Sequence, residues 1–212
     1  MSSWSSTRRH FTDKFKLNQT PYNSPSVTSD NPSSPPSIST IVSNQVFAEN
    51  WFSIIPLDHF SSRSINYLEI GNGDNTLSVA KSYASHPDST IVCIDLWEDD
   101  EEKHNEYKTF LNNIEESGME NVTVHRGYSH KIISTLENES FDIIYIDGSH
   151  EPECVLEDAV LSFRKLKTGG VMIFNGYYLD ITRKCIDGFL SVYDKKINKL
   201  GLKNAQMFIQ KK

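Results

Sequence analysis

A chain of 212 residues with 37% hydrophobic content can bury one sizeable core, and its length suits a single domain plus an extension. A formal net charge of -7 argues against a broad basic face, and so against nucleic acid as a partner, while leaving small anionic substrates open. No run of eighteen apolar residues suggests a membrane span, no secretory signal is evident, and Cys93, Cys154 and Cys185 are too few and too scattered for a disulfide framework or a zinc site; a cytoplasmic protein is expected.

Residues 1 to 43 are dominated by Ser, Thr, Asn and Pro. Pro21, Pro25, Pro32, Pro35 and Pro36 prevent a continuous helix or central strand, so this part reads as a low-complexity tail, free or laid over the surface. Residues 44 to 212 form the expected folded domain. Val42, Val46, Phe47, Trp51, Phe52 and Ile55 predict one helix or two short ones before Pro56, covering an edge or a mouth of a sheet.

The core then alternates. Strands are expected at Ile65 to Ile70, Thr90 to Asp95, Val122 to His125, Phe141 to Ile146 and Val171 to Phe174. Helices are expected at Thr76 to Ala84, Glu102 to Ser117 with Gly118 as its cap, Lys131 to Leu136, Cys154 to Leu166 and Thr182 to Tyr193. Ile197 to Leu200 and Ala205 to Ile209 read as an antiparallel pair separated by Gly201. Near-continuous apolar strands between helices require an α/β fold, a largely parallel sheet covered on both faces. Right-handed crossovers leave a ligand crevice beyond the strand carboxyl ends.

The stretch from Tyr67 to Thr76 organises that crevice. An apolar strand runs into Gly71-Asn72-Gly73 and then a helix start, a layout that brings backbone N–H groups and the positive end of a helix dipole to one mouth. The full dinucleotide fingerprint is absent, because Asn75 occupies the third glycine position. Glu69 lies in the apolar strand, where an unsatisfied carboxylate is costly. It either meets a ligand donor or accepts hydrogen bonds from nearby loop amides.

Glu69, Asp95 and Asp147 all fall at strand carboxyl ends. Asp95 follows Gly71 at the spacing of a carboxylate that accepts two vicinal ribose hydroxyls, with capping or loop closure as the alternative. Tyr128 can flank a base or pack in the core. Ser129 can hydrogen-bond to that base or cap the next helix.

The segments Tyr67-Leu68-Glu69-Ile70-Gly71, Ile94-Asp95-Leu96-Trp97, Phe141 to His150 and Leu166 to Phe174 together resemble a class I S-adenosylmethionine-dependent methyltransferase. They are most similar to the small-molecule O-methyltransferase-like group, whose fourth strand ends in Ile-Asp-Gly-Ser-His or a close variant. The resemblance covers Glu49 to Lys212. It implies a Rossmann-like, doubly wound, mostly parallel seven-stranded sheet with the last strand antiparallel. It also implies S-adenosyl-L-methionine as cofactor, held by Glu69, Gly71, Gly73, Asn75, Asp95, Leu96, Tyr128, Ser129 and Asp147. By the same resemblance Asp147 lies next to the sulfonium. Asp147 and His150 are the catalytic candidates, His150 as base, with a capped or salt-linked histidine paired to Glu151 or Glu153 as the alternative.

One departure concerns metal. Related proteins carry an Asp-Asp or His-Asp pair after the fifth strand, whereas this chain has Asn175-Gly176. Asp147 and Asn175 alone make a poor divalent-cation site, so a metal-independent reaction is expected. The reading is O-methylation of a small molecule. The alternatives are a catalytically inactive relative that binds the cofactor in assembly or regulation, and a nicotinamide-dependent oxidoreductase, which leaves Glu69 unexplained. Residues 96 to 106, 148 to 153 and 175 to 181 are the candidate acceptor loops.

Overall fold

A computed structural model describes residues 48–97 and 101–212, all within the compact unit Ser43–Lys212. The expected tail over residues 1–43, and the start of the expected covering segment, lie outside the described residues. Strands β1 (Asn66–Ile70), β2 (Thr90–Asp95), β3 (Val122–Arg126), β4 (Phe141–Ile146), β5 (Leu166–Phe174), β6 (Ile197–Lys203) and β7 (Gln206–Lys211) make one sheet in the order β3-β2-β1-β4-β5-β7-β6. The first five run parallel, and β7 is antiparallel to both its neighbours. Helices α1 (Asp58–Ser61), α2 (Thr76–Lys81), α3 (Glu101–Ser117), α4 (Ser129–Thr135), α5 (Pro152–Lys165) and α6 (Asp180–Val192) flank it, with a 3-10 turn at Ala48–Trp51. This is the α/β, doubly wound, seven-stranded architecture that the sequence leads one to expect.

Strand alternation separates two cores. Leu68, Ile70, Ile144 and Ile146 point to one face, where they meet Ile133 of α4, Val155, Ala159 and Phe163 of α5, and Ile186, Phe189 and Leu190 of α6. Tyr67, Ile143 and Tyr145 point to the other, covered by Trp51, Ile55, Phe60, Val79 and Tyr83. Every residue of β4 is buried, as a central parallel strand requires. Each of these large apolar side chains stabilises the fold by about 1.5–3 kcal/mol. At the strand amino ends Asp142 accepts from the Asn66 amide and pairs with Arg63 and Lys167, which hold its carboxyl below the ordinary range against the opposing effect of burial.

Three local expectations are corrected. The covering segment is a 3-10 turn ending at Trp51 and a one-turn helix, α1, after Pro56 rather than before it. Proline opens a turn of helix more readily than it closes one. Strand β5 begins at Leu166, not Val171: Leu166 pairs with Phe141, and the register then shifts so that Val171 pairs with Ile143, placing Gly169-Gly170 in a bulge. The β6–β7 turn is made by Asn204 and Ala205, both at positive φ (49° and 59°), the twist that suits a two-residue hairpin. Gly201 lies inside β6 at a register shift.

Candidate functional site

The strand order reverses between β1 and β4, and that reversal opens a crevice at the carboxyl ends. Hydrogen bonds carry the ladder one residue past each strand: Gly71 N–H donates to Ile94 O, Asp147 N–H to Ile70 O, Gly127 N–H to Asp95 O and Asn175 N–H to Ile146 O. The glycine turn, Asp95, Asp147 and Asn175 are thus brought to one edge in fixed register.

Glu69 is 1% exposed. Its carboxylate accepts from the Asn75 amide (3.0 Å), the Thr76 hydroxyl (2.7 Å) and the Tyr67 hydroxyl (3.2 Å). Of the two readings of this residue, internal loop donors are the ones it meets here: it ties the end of β1 to the start of α2 across the glycine turn. Burial pushes its pKa up to about 7, opposed by these three hydrogen bonds. An acid whose folded value is raised favours folding most when protonated, and that advantage is lost as pH rises from about 4.5 through about 7. Wild type should therefore lose about 1–3 kcal/mol relative to Glu69→Gln between about pH 5 and pH 8 in urea unfolding. Equal pH slopes for the two proteins would contradict the assignment. His125, whose pKa burial lowers, gives the opposite slope but cancels in this comparison.

Gly71 has φ 137°, and a Cβ there would lie 2.6 Å from the Asp147 carbonyl oxygen. The turn and the end of β4 are in direct backbone contact. Gly73 has φ 87°, and a Cβ would fall 2.3 Å from the Phe110 ring, so α3 lays an aromatic ring over the second glycine. Trp97 stacks on that ring at 5.3 Å between centroids. Its φ is 37°, its carbonyl accepts from the Arg126 guanidinium, and its own buried Nε1 has no hydrogen-bond partner among the described residues. Asp95 Oδ1 accepts from the Trp97 amide at 3.0 Å, closing the loop through half-buried Leu96. Asn75 Oδ1 is likewise buried and without a partner among the described residues.

Tyr128 is 47% exposed, which excludes core packing. Its ring lies 5.7 Å from His130, with the Lys131 ammonium over it. Helix α4 starts at Ser129, with Tyr128 as its N-cap position and no side-chain cap; the Ser129 hydroxyl lies near Asp158. Asp158, 2% exposed on α5, escaped notice in the sequence, although its place in the inward stripe with Val155, Ala159 and Ser162 was a signal. Burial raises its pKa to about 6, and a Cβ at Gly148 would lie 3.2 Å from its Oδ2. It lies between the loops after β3 and β4, and among the described residues its Oδ1 is buried without a hydrogen-bond partner.

Asp147 accepts from Asn175 Nδ2 at 2.9 Å and from the Tyr145 hydroxyl at 3.2 Å. Burial raises its pKa, and these two donors and nearby His150 oppose that. His150 is exposed, and a Cβ at Gly176 would lie 3.4 Å from its Cε1. Among the described residues no ion pair joins it to Glu151 or Glu153, which leaves its ring at the mouth. No group of three or more His, Cys, Asp or Glu among the described residues is placed to hold a metal ion.

A family profile described as a methyltransferase domain matches residues 68–177, over half of the chain and the whole of the edge just described. No curated protein matches the sequence. Solved structures share the fold. The O-methyltransferase TomG of Streptomyces achromogenes, involved in tomaymycin synthesis and crystallised with S-adenosylmethionine, is 18% identical, with a TM-score of 0.56 over 70% of this chain and 73% of its own. The S-adenosylhomocysteine-bound methyltransferase PaMTH1 of Podospora anserina is 18% identical, with a TM-score of 0.51 over 69% and 71%. An rRNA methylase of Streptococcus thermophilus is 14% identical, with a TM-score of 0.54 over 76% and 94%. With that profile spanning the glycine turn, Asp95 and Asp147 on a sheet of this order, the chain belongs to the methyltransferase domain family and carries the class I methyltransferase fold.

Proposed function

We propose that the protein is an S-adenosylmethionine-dependent methyltransferase acting on an oxygen of a small molecule, with residues 44–212 as the catalytic domain. The observation that carries the reading is the edge at which the Gly71 turn, Asp95 and Asp147 are held in register by the extended ladder. The residues there fit an adenosyl cofactor. Asp95 keeps Oδ2 free of the loop bond made by Oδ1, an acceptor for ribose hydroxyls. Asn75 Oδ1 and Trp97 Nε1 are a buried acceptor and a buried donor without partners among the described residues, and such groups are costly unless a ligand satisfies them. Leu96, Tyr128 and Ser129 would line the base, and the Gly71 and Gly73 turn would face the methionine end, with Glu69 bracing that turn from beneath.

When bound, S-adenosylmethionine supplies an electrophilic methyl group on a positively charged sulfur. Asp147 would orient the acceptor or balance that charge, and His150 at the mouth would take the hydroxyl proton. Fold similarity extends to both a small-molecule pathway enzyme and an rRNA methylase. The net charge of -7 favours the small acceptor over a polyanion. The reading is tested by calorimetry with S-adenosylhomocysteine: Asp95→Ala should weaken binding more than tenfold, about 1.4 kcal/mol, and equal affinity would overturn the ribose assignment.

The donor set argues against a metal-assisted reaction. Asn175 turns its amide N–H₂, not its carbonyl, toward Asp147, leaving one charged ligand where hard cations want several oxygens. Turnover should be unaffected by EDTA. Loss with the chelator and recovery on adding Mg²⁺ or Mn²⁺ would reverse this conclusion.

A further inference from the structure

The buried polar groups behind Asp147 form a single directed chain that starts at the 3-10 turn packed on the same face of the sheet as Tyr145. Trp51 Nε1, on the 3-10 turn, donates to Gln206 Oε1 on β7 at 2.9 Å. With its oxygen taken, the Gln206 amide presents Nε2 the other way, to the Tyr145 hydroxyl at 3.1 Å and toward Asn175 Oδ1 at 3.5 Å. Tyr145 accepts that bond and so has its own proton for Asp147 Oδ2, while Asn175, with its oxygen facing Gln206, turns Nδ2 to Asp147 Oδ1. Every bond points toward the carboxylate.

Reversal anywhere along the chain would bring donor against donor, a costly arrangement in a buried place. Gln206 is 1% exposed at the start of a strand that continues with the buried Met207, Phe208 and Ile209, and Trp51 is fully buried, packed between Tyr83 and Tyr145 at 6.0 and 5.4 Å. Among the described residues no Lys or Arg pairs with Asp147; its neighbours are neutral donors, the exposed His150 and the like-charged carboxylate of Asp74. Neutral donors hold a carboxylate in place without cancelling its charge.

We propose that Gln206, anchored by Trp51, is a positioning residue that aims the Asn175 amide and the Tyr145 hydroxyl at Asp147, keeping that carboxylate fixed and free of a cationic side-chain partner so that it serves a cationic ligand. The ligand class follows from the function proposed above, on which this inference rests: a sulfonium in preference to its neutral thioether product.

The test compares affinities for S-adenosylmethionine and S-adenosylhomocysteine by calorimetry in wild type, Gln206→Met and Trp51→Phe. It is joined to the nitrogen-15 NMR signal of the Asn175 side-chain amide. Gln206→Met should lower the preference for the sulfonium over the thioether about fivefold, the order expected for loosening a charge-assisted hydrogen bond. Trp51→Phe should do so less, since it keeps the ring and removes only the N–H. Thioether affinity should hold within about twofold, and the Asn175 amide signal should lose its hydrogen-bonded shift in both variants. Equal weakening of both ligands, or an unchanged Asn175 signal, would reduce Gln206 to a packing residue and overturn the proposal. If Gln206→Met does not fold, Trp51→Phe carries the same comparison. A wild type that binds neither ligand would overturn the functional reading itself, before any variant is compared.

Discussion

Asp147→Asn is expected to lower turnover by about ten- to a hundredfold while changing affinity for the neutral thioether S-adenosylhomocysteine far less. The substitution keeps the size of the side chain but removes the charge and replaces one of the two acceptor oxygens with a donor N–H₂, so that either Asn175 Nδ2 or the Tyr145 hydroxyl, both of which donate to the carboxylate, meets a donor instead. Preorganised charge beside a reacting centre contributes a few kcal/mol of the kind that appears in turnover rather than in binding. An opposing effect sets the upper end of the range. The sulfur loses its positive charge as the methyl leaves, so a carboxylate too close to it stabilises the ground state more than the transition state. Single-turnover methyl transfer separates the two contributions. A loss confined to cofactor affinity would place Asp147 in binding only.

Gly71→Ala should be strongly damaging, because the clash it creates is with backbone rather than with a side chain. The backbone sits at φ 137°, which side chains rarely adopt, and the new Cβ would stand 2.6 Å from the Asp147 carbonyl oxygen. Backbone strain of this kind and overpacking each cost about 1–3 kcal/mol. The displaced oxygen belongs to the residue proposed to face the reacting sulfur, so cofactor binding should fall with stability. Gly118→Ala is the control: it also has positive φ (68°) but meets nothing within 4 Å, and should cost only about 1 kcal/mol. Urea unfolding of the two variants decides the point. Equal losses would mean that the turn relaxes away from Asp147.

The sequence was most readable where local pattern and tertiary role agree. Phe141 to Ile146 is apolar because a central parallel strand is buried on both faces, and Val155, Ala159 and Phe163 keep helical spacing because one face of α5 meets the sheet. Positions governed by irregular backbone were less legible. Leu166 pairs with Phe141 across a bulge that the Gly169-Gly170 pair disguised as a strand boundary, and Asn204-Ala205 makes the last turn without a glycine. Within the site, the acids at strand ends could be named from spacing, but their partners could not. Trp51 and Gln206 meet across 155 residues of sequence, and nothing local to either points to the other. Phe110 covers Gly73 from a helix whose apolar face reads as ordinary packing. Asp158 is hard to read from sequence because an acid within an apolar stripe looks like an interruption of it.

Co-crystallisation with S-adenosylhomocysteine tests the central claim most directly. The account predicts the ribose hydroxyls within hydrogen-bond distance of Asp95, the amino acid end against the Gly71 turn, and the thioether sulfur beside Asp147. Trp97 Nε1 or Asn75 Oδ1 should gain a partner on the ligand. Crystals grown in saturating ligand that show the adenosyl group elsewhere, or no ligand at all alongside a flat calorimetric titration, would contradict it.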